Sequence, residues 1–340
     1  MTPDVSVLLP YRDTASTIAE AIEGVLAERG VALELVAIDD GSTDGGHEIV
    51  DAIARRDPRV RHERGEARGI VAALQRASSL ARAPFFARMD ADDVSRPGRI
   101  ARALELLRRD ASIAVVATRV EPFPDEAIGD GLRRYVAWQN GLITPEDHAR
   151  AIFVESPVCH PSVTMRRDAF ERVGGYRDVD GPEDYDLWLR LDAAGAGIAK
   201  LPETLLRWRH RQGRATFADA RYDLARFPEA KAPFLARRLA ALGKPIAIWG
   251  AGKTGKRLAR ALEPHGLRAR RFYDIDPRKI GRPARGAPTL SPHAPDGARA
   301  IAARGETIVV AVGAVGARDL VRAHLDALGL VEGREYLCGS

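Results

Sequence analysis

The chain has 340 residues, 45% of them hydrophobic and 29% charged, with a formal charge of +5. That length suits about two average domains, and the composition excludes a disordered chain. No apolar run approaches the ~20 residues needed to span a bilayer, and the widely separated Cys159 and Cys338 exclude a disulfide scaffold and suit a reducing cytoplasm.

The N-terminus, "MTPDVSVLLPYRD", has no basic leader and no small-residue cleavage site, so "VSVLLP" (5–10) reads as a first strand. Residues 16–29 carry Ile18, Ala21, Ile22, Val25 and Leu26 at helical spacing, with Ser16 or Thr17 placed to cap. A second strand, "LELVAI" (33–38), runs into "DDGSTDGG" and a helix over about 45–56. "RVRHER" (59–64) is a weaker strand; a helix over about 67–82 and the strand "FFARM" (85–89) follow, then "DADD". Pro97 suits the first turn of a helix over about 97–109, and "SIAVVATRV" (112–120) closes the series. This alternation predicts an α/β fold with a mainly parallel sheet covered on both faces.

Residues 121–165 are rich in proline, with one helical piece near 132–142, and read as an insertion over a sheet edge. "GPEDYDLWLRLDAAG" (181–195) restarts a helix, and "IAKLPETLLRWRHR" (198–211) reads as strand, turn, strand. Near residue 240 a new α/β unit begins, so domains 1–235 and 236–340 are expected. The charge divides similarly: residues 236–340 hold 19 Lys and Arg against 9 Asp and Glu, the rest 33 against 38. That asymmetry suggests two units with different ligands, or a solvated basic face.

Two acidic clusters fall at predicted strand ends: Asp39 and Asp40 after the second strand, and Asp90, Asp92 and Asp93 after the fourth. Like charges this close repel, and burial makes each costlier. In a doubly wound sheet, ligands bind beyond the carboxyl ends of the strands. Hard oxygen ligands there suit Mg²⁺ or Mn²⁺, which commonly share coordination with substrate phosphates. The plain alternative is that Asp, Ser and Gly form ordinary turns and helix caps.

"VSVLLPYRD", "LVAIDDGSTDG", "ARMDADDVSRPGRI" and "GPEDYDLWLRL", in this order and spacing, resemble a family 2 glycosyltransferase of the A-type fold over about residues 3–215. The resemblance implies an N-terminal glycosyltransferase domain with a Rossmann-like mixed sheet. It implies that Leu9, Pro10, Asp39 and Asp40 line the nucleotide, commonly a uridine, and that Asp90 and Asp92 lie near the ribose and diphosphate. Asp92 or Asp93 holds the metal, Mn²⁺ or Mg²⁺. Arg68, placed in the helix before the fourth strand, is a diphosphate or base contact, or an exposed helix arginine. Glu183 and Asp184 match the family's acidic pair, whose second acid is the base that deprotonates the acceptor as it inverts the sugar carbon. The plain reading of that pair is a favourable place at a helix N-terminus, worth ~0.3–1 kcal/mol. His210 could reach the metal or diphosphate from a C-terminal hairpin, and His160 lies in an "HPS" stretch near the acceptor side; a lone histidine is more often a hydrogen-bonded structural residue.

"IAIWGAGKTGKRLARAL" sets Gly250, Gly252 and Gly255 in G-x-G-x-x-G spacing after a strand and before a helix, and Asp274 ends the next strand. With "YDIDPRKIG" this resembles a smaller Rossmann-like domain, which implies a second site for a nucleotide or dinucleotide, or a retained fold that binds nothing. The expected partners are a nucleotide-sugar donor, commonly UDP-linked, and a glycan or lipid-linked acceptor, with no nucleic acid. The expected location is the cytoplasm, at the inner membrane face if the basic part meets anionic lipid. Two rivals remain at this point: an NAD(P)-dependent oxidoreductase or a nucleotide-sensing module, both centred on the C-terminal glycine loop.

Overall fold

A computed structural model describes residues 2–210, 220–223, 226–293, 300–301 and 303–340. The chain divides into two units. The first holds residues 1–149, 157–179 and 183–220; the second holds 150–156, 180–182 and 221–340. The expected division at 235/236 therefore moves to 220/221. The helix Phe227–Ala241, which a division at 235/236 would cut, belongs to the second unit.

In the first unit the strands are β1 (Val5–Tyr11), β2 (Leu33–Asp39), β3 (Val60–Arg64), β4 (Phe85–Arg88), β5 (Val94–Ser95), β6 (Ile113–Phe123), β7 (Thr164–Arg166) and β8 (Gly197–Arg209). They form one sheet in the order β3-β2-β1-β4-β7-β6-β8-β5. The β3-β2-β1-β4 half is parallel, while β7 runs antiparallel to both β4 and β6. β1, β2 and β4 are buried at every position, as strands covered on both faces must be.

The helices of this unit are α1 (Ile18–Leu26), α2 (Gly46–Arg56), α3 (Ile70–Leu80), α4 (Arg99–Arg109), α5 (Asp130–Gly141), α6 (Pro145–Ala151), α7 (Arg167–Arg172) and α8 (Glu183–Ala193). Ile18, Ala21, Ile22 and Val25 of α1 are buried, the stripe that the spacing predicts. Pro97 precedes α4 rather than opening it, because Gly98 takes the cap position with φ +86°. Buried Glu28 caps α4 from a distance, accepting the Gly98 N–H at 3.0 Å and the Ile100 N–H at 3.2 Å.

The expected strand, turn, strand over 198–211 is instead the single strand β8. Against β6 its register passes from Leu201 opposite Thr118 to Thr204 opposite Arg119. Pro202 has no N–H to give the ladder, so the strand bulges there rather than turning back. Arg211, at the end of that reading, and residues 211–215 of the resemblance lie outside the described residues.

The second unit carries a five-stranded parallel sheet. Its strands are β9 (Ile246–Trp249), β10 (Ala269–Tyr273), β11 (Thr289–Leu290), β12 (Thr307–Val310) and β13 (Tyr336–Cys338), in the order β11-β10-β9-β12-β13. Its longer helices include α9 (Phe227–Ala241), α10 (Lys253–Leu262) and α11 (Ala317–Ala327). Among the described residues, no helix is long and apolar enough to cross a membrane.

Candidate active site

The register places two acidic groups at one end of the first sheet. Asp39 ends β2 opposite Tyr11, and β4 ends at Arg88 opposite Leu8, two residues before Asp90. Because β1 lies between β2 and β4, these ends are two strand spacings apart, about 10 Å.

On the β2 side the "DDGSTDG" turn is knitted to the loop after β1. Asp39 is fully buried; its Oδ1 accepts the Ser42 N–H at 2.8 Å, and Arg64 Nε stands 3.6 Å from Oδ2. Asp13 Oδ1 accepts the Thr43 N–H at 2.8 Å, and Asp44 Oδ2 accepts the Ala15 N–H at 2.7 Å. Both oxygens of Asp40 lie 3.0 Å from the Gly69 N–H. This bond draws the loop before α3 over the turn. Arg68 is exposed in that loop and not in a helix, because α3 starts only at Ile70. Leu9 and Pro10 are buried in β1 beside this turn.

On the β4 side the three carboxylates converge. Asp90, Asp92 and Asp93 each offer an oxygen within 4.8 Å of the others. Asp92 and Asp93 are buried and Asp90 partly so. Their mutual repulsion is met in several ways. Arg88 Nη2 pairs with Asp90 Oδ1 at 2.6 Å. The Arg209 N–H donates to Asp93 Oδ1 at 2.7 Å, and Arg209 Nε donates to the Asp92 carbonyl at 2.6 Å. His210 follows at the end of β8, where its N–H donates to the Phe123 carbonyl at 2.6 Å and its ring meets Trp208 edge-on. Among the described residues, the acidic group that can close on one cation does not include it.

Below this group two arginines are buried. Arg88 is 1% exposed and Arg99 0%. Arg99 donates to Ser95 Oγ at 2.7 Å and to the Pro161 carbonyl at 2.9 Å, and burial pushes its guanidinium down to about 10. Neither residue, nor Arg209, takes a role from the sequence alone. A signal existed for Arg88: a charged residue inside an apolar strand must find a partner, and Asp90 stands two positions away.

The acid pair opens α8, with Glu183 buried and Asp184 partly exposed. Asp184 Oδ1 accepts the Tyr185 N–H at 2.7 Å. Burial, then the neighbouring Glu183 charge, raises the Asp184 carboxyl to about 7, against a lowering by Arg88. Glu183 Oε1 stands 3.8 Å from His160 Nδ1, and His160 Nε2 meets the Tyr176 hydroxyl at 2.8 Å. His160 is held well below its usual range by burial and by Arg88, so its imidazole stays neutral. It packs edge-on against Trp188, itself fully buried. His160 thus sits in a buried polar chain, as a structural histidine does.

The family model described as Glycosyl transferase family 2 matches residues 6–174. EpsE of Bacillus subtilis, named as a glycosyltransferase, is 30% identical over 213 residues, covering 61% of this chain and 73% of that protein. The chain belongs to glycosyl transferase family 2. Two solved structures share the A-type glycosyltransferase fold. Staphylococcus aureus TarS 1–349, in complex with UDP-GlcNAc, aligns with TM-score 0.53 at 16% identity, over 69% of this chain and 72% of that one. The mannosyltransferase PcManGT of Pyrobaculum calidifontis, in complex with GDP-Man and Mn²⁺, aligns with TM-score 0.50 at 19% identity, over 98% and 82%. This family 2 chain is thus a glycosyltransferase with a mixed α/β fold, and neither rival centred on the C-terminal loop is favoured.

The glycine loop of the second unit is formed as its spacing predicts, but its acid is occupied. Gly250 has φ +122°, and a Cβ there would stand 2.2 Å from the Ala311 carbonyl oxygen; one on Gly255 would stand 1.8 Å from the Gly250 oxygen. These two glycines are required by packing alone. Asp274 Oδ2 accepts the Ala251 N–H at 2.8 Å and Lys279 Nζ at 3.1 Å, and Oδ1 accepts the Asp276 N–H at 2.9 Å. Three of the roughly four acceptor positions of this carboxylate are therefore filled by the loop itself.

Proposed function

We infer that this enzyme moves a sugar from a nucleotide-diphospho-sugar, UDP-linked in the first instance, to a glycan or lipid-linked acceptor with inversion. The observation that carries this reading is the gathering of Asp90, Asp92 and Asp93 within 4.8 Å of one another at a parallel strand end. Three hard carboxylate oxygens are the donor set that Mg²⁺ or Mn²⁺ takes, so the residues fit the ion. Asp92 and Asp93 would hold it, with Asp90 toward the ribose. When bound, the ion acts as a Lewis acid toward the leaving diphosphate. Solved neighbours in complex with UDP-GlcNAc, or with GDP-Man and Mn²⁺, support such a donor.

The base half of the donor lies against Leu9, Pro10, Asp39 and Asp40. Arg68, exposed on the loop that Asp40 draws in, meets the diphosphate in this reading. Asp184 takes the proton of the acceptor hydroxyl as that oxygen bonds to the anomeric carbon, and the old carbon–oxygen bond leaves its electron pair on the diphosphate. Attack opposite the leaving group inverts the carbon. Burial first, and the neighbouring Glu183 second, raise Asp184 toward the working pH range.

A basic second unit suits an acceptor presented at an anionic membrane face. A relative from Escherichia coli that acts on a GlcNAc-diphosphoundecaprenol, 25% identical over 208 residues, supports a lipid-linked acceptor. The deciding experiment is a thermal-shift panel of UDP-, GDP-, dTDP- and CMP-sugars with and without Mn²⁺. Stabilisation by a UDP-sugar only when Mn²⁺ is present is expected. Equal stabilisation without metal would overturn the metal assignment, and none with any donor would overturn the donor class.

A further inference from the structure

Among the described residues, the large apolar side chains left exposed are Ile275, Val315, Leu320 and Val331, at 66, 79, 75 and 48%. All four belong to the second unit. A single exposed apolar side chain needs no explanation, but several gathered at one edge point to a partner. Three of these are so gathered. Tyr273 of β10, Trp249 of β9 and Val310 of β12 stand level in the second sheet, so the three strands end at one edge. Ile275 lies in the segment after β10 and Val315 in the loop after β12, while Leu320 is in the first turn of α11, which that loop enters. Because β9 lies between β10 and β12, these two strand ends are two strand spacings apart, about 10 Å.

The charge of the same edge says what kind of partner it fits. α10 leaves the loop after β9, between the two ends, and carries Lys253, Lys256, Arg257 and Arg260 with no acid. All four are exposed, and they make no ion pair among the described residues. Lys256 stands only about 4.5 Å along the helix axis from Lys253, so both lie near the edge. Arg278 and Lys279, by contrast, spend their charge on Asp276 and Asp274. Lysine is depleted where proteins meet proteins. At an anionic bilayer the same mixture is favourable: apolar tips enter the headgroup boundary while the cations meet lipid phosphates.

We propose that the carboxyl edge of the second sheet docks on an anionic bilayer, with Ile275, Val315 and Leu320 as its apolar tips and Lys253 and Lys256 as its contacts to lipid headgroups. This deepens, and rests on, the reading of a basic unit at an anionic membrane face. Binding of this kind draws on buried apolar area and on charge together, so both sets of residues are needed. It also gives the edge around the glycine loop a use that requires no bound nucleotide.

The test co-sediments the full chain with vesicles of equimolar phosphatidylglycerol and phosphatidylcholine, or of phosphatidylcholine alone. Wild type is compared with the triple variant Ile275→Ser/Val315→Ser/Leu320→Gln and the double variant Lys253→Gln/Lys256→Gln. A third protein, Val315→Cys, carries an environment-sensitive dye; Cys159 and Cys338 are buried, so the label takes the new thiol. Wild type is expected to partition onto the anionic vesicles at least tenfold more than onto the neutral ones, and less as salt is added. Each multiple variant should lower that partitioning at least tenfold while melting as wild type does. The dye should shift to the blue and become shielded from iodide only with anionic vesicles. A triple variant that binds as tightly as wild type, or a bound protein whose dye stays unshifted and open to iodide, would overturn the inference and leave the basic unit at the membrane standing. No binding by wild type would overturn both, and the donor panel still decides the catalytic reading by itself. Self-association of wild type without vesicles, abolished in the triple variant, would assign the edge to a second copy of the chain and likewise overturn the proposal.

Discussion

Asp184 meets two opposed demands. As a base it must be ionised, yet it lies in a site that favours its proton and raises it to about 7. The sign of the pH effect follows. Between about pH 4 and 7 the folded state holds a proton that the unfolded chain has released, so the group's contribution to stability falls as pH rises through that window and is constant above it. Asp184→Asn removes this dependence. Because Asp184 keeps some access to water, the expected gain at pH 8 is modest, about 1 kcal/mol or a melting point about 2–4 °C above wild type, closing by pH 4. Calorimetry of metal-free protein at the two pH values checks this; a gap that widens toward low pH contradicts it. At the same scale, Asp92→Ala or Asp93→Ala should weaken Mn²⁺-dependent donor binding at least tenfold in isothermal titration while leaving the fold intact. Unchanged binding in both would remove the metal assignment. Asp93 also accepts the Arg209 N–H, so its variant should lower the melting point more than the Asp92 variant does.

At the scale of elements, the parallel half of the first sheet was legible because continuous apolar runs with Pro, Gly or Asp at their ends have few other meanings. The α1 stripe is one such case; the buried β4 leading into "DADD" is another. β8 was misread because Pro202 looks like a turn in sequence, and only the partner strand β6 shows that the ladder resumes beyond it. The glycine loop is the reverse case. Its spacing was legible, but the duty of each glycine was not. Gly255→Ala should cost about 3 kcal/mol, since a methyl there meets the Gly250 carbonyl. Gly252→Ala should be nearly silent, because the nearest atom to its Cβ is Lys279 Nζ at 3.9 Å and its φ is −81°. Thermal melting of both variants separates a packing loop from a uniformly intolerant one.

For the whole molecule, the chain's two units are not two sequence blocks. Residues 150–156 and 180–182 belong to the second unit although they lie within the span of the first. Lys231 on α9 shows what the first of these segments supplies. Its buried ammonium donates to the Phe153, Val154 and Gly339 carbonyls at 2.7, 3.0 and 3.0 Å, and burial lowers it to about 8. Glu332 likewise takes Arg150 as well as Arg322. A fragment of residues 221–340 lacks Arg150, Phe153 and Val154, leaving Lys231 one of those three carbonyls. It is expected to melt well below the second transition of the full chain, or to be insoluble; a fragment as stable as the intact unit would show that residues 150–156 are dispensable. A division of the chain drawn from composition could not reveal this, because seven inserted residues carry no compositional mark.

The sequence by itself determined most of the strand and helix order in the first 120 residues, the strand ends that carry acid, and the family to which those motifs belong. These are local properties: periodicity, turn chemistry and the spacing of carboxylates along one stretch of chain. Only the tertiary structure decided which groups share a field. That Arg88 pairs with Asp90, that Arg209 holds Asp92 and Asp93, and that Asp274 is already bonded by its own loop are facts about groups brought together by the fold. Electrostatic interaction depends on distance through space and on burial, and neither is written in separation along the chain.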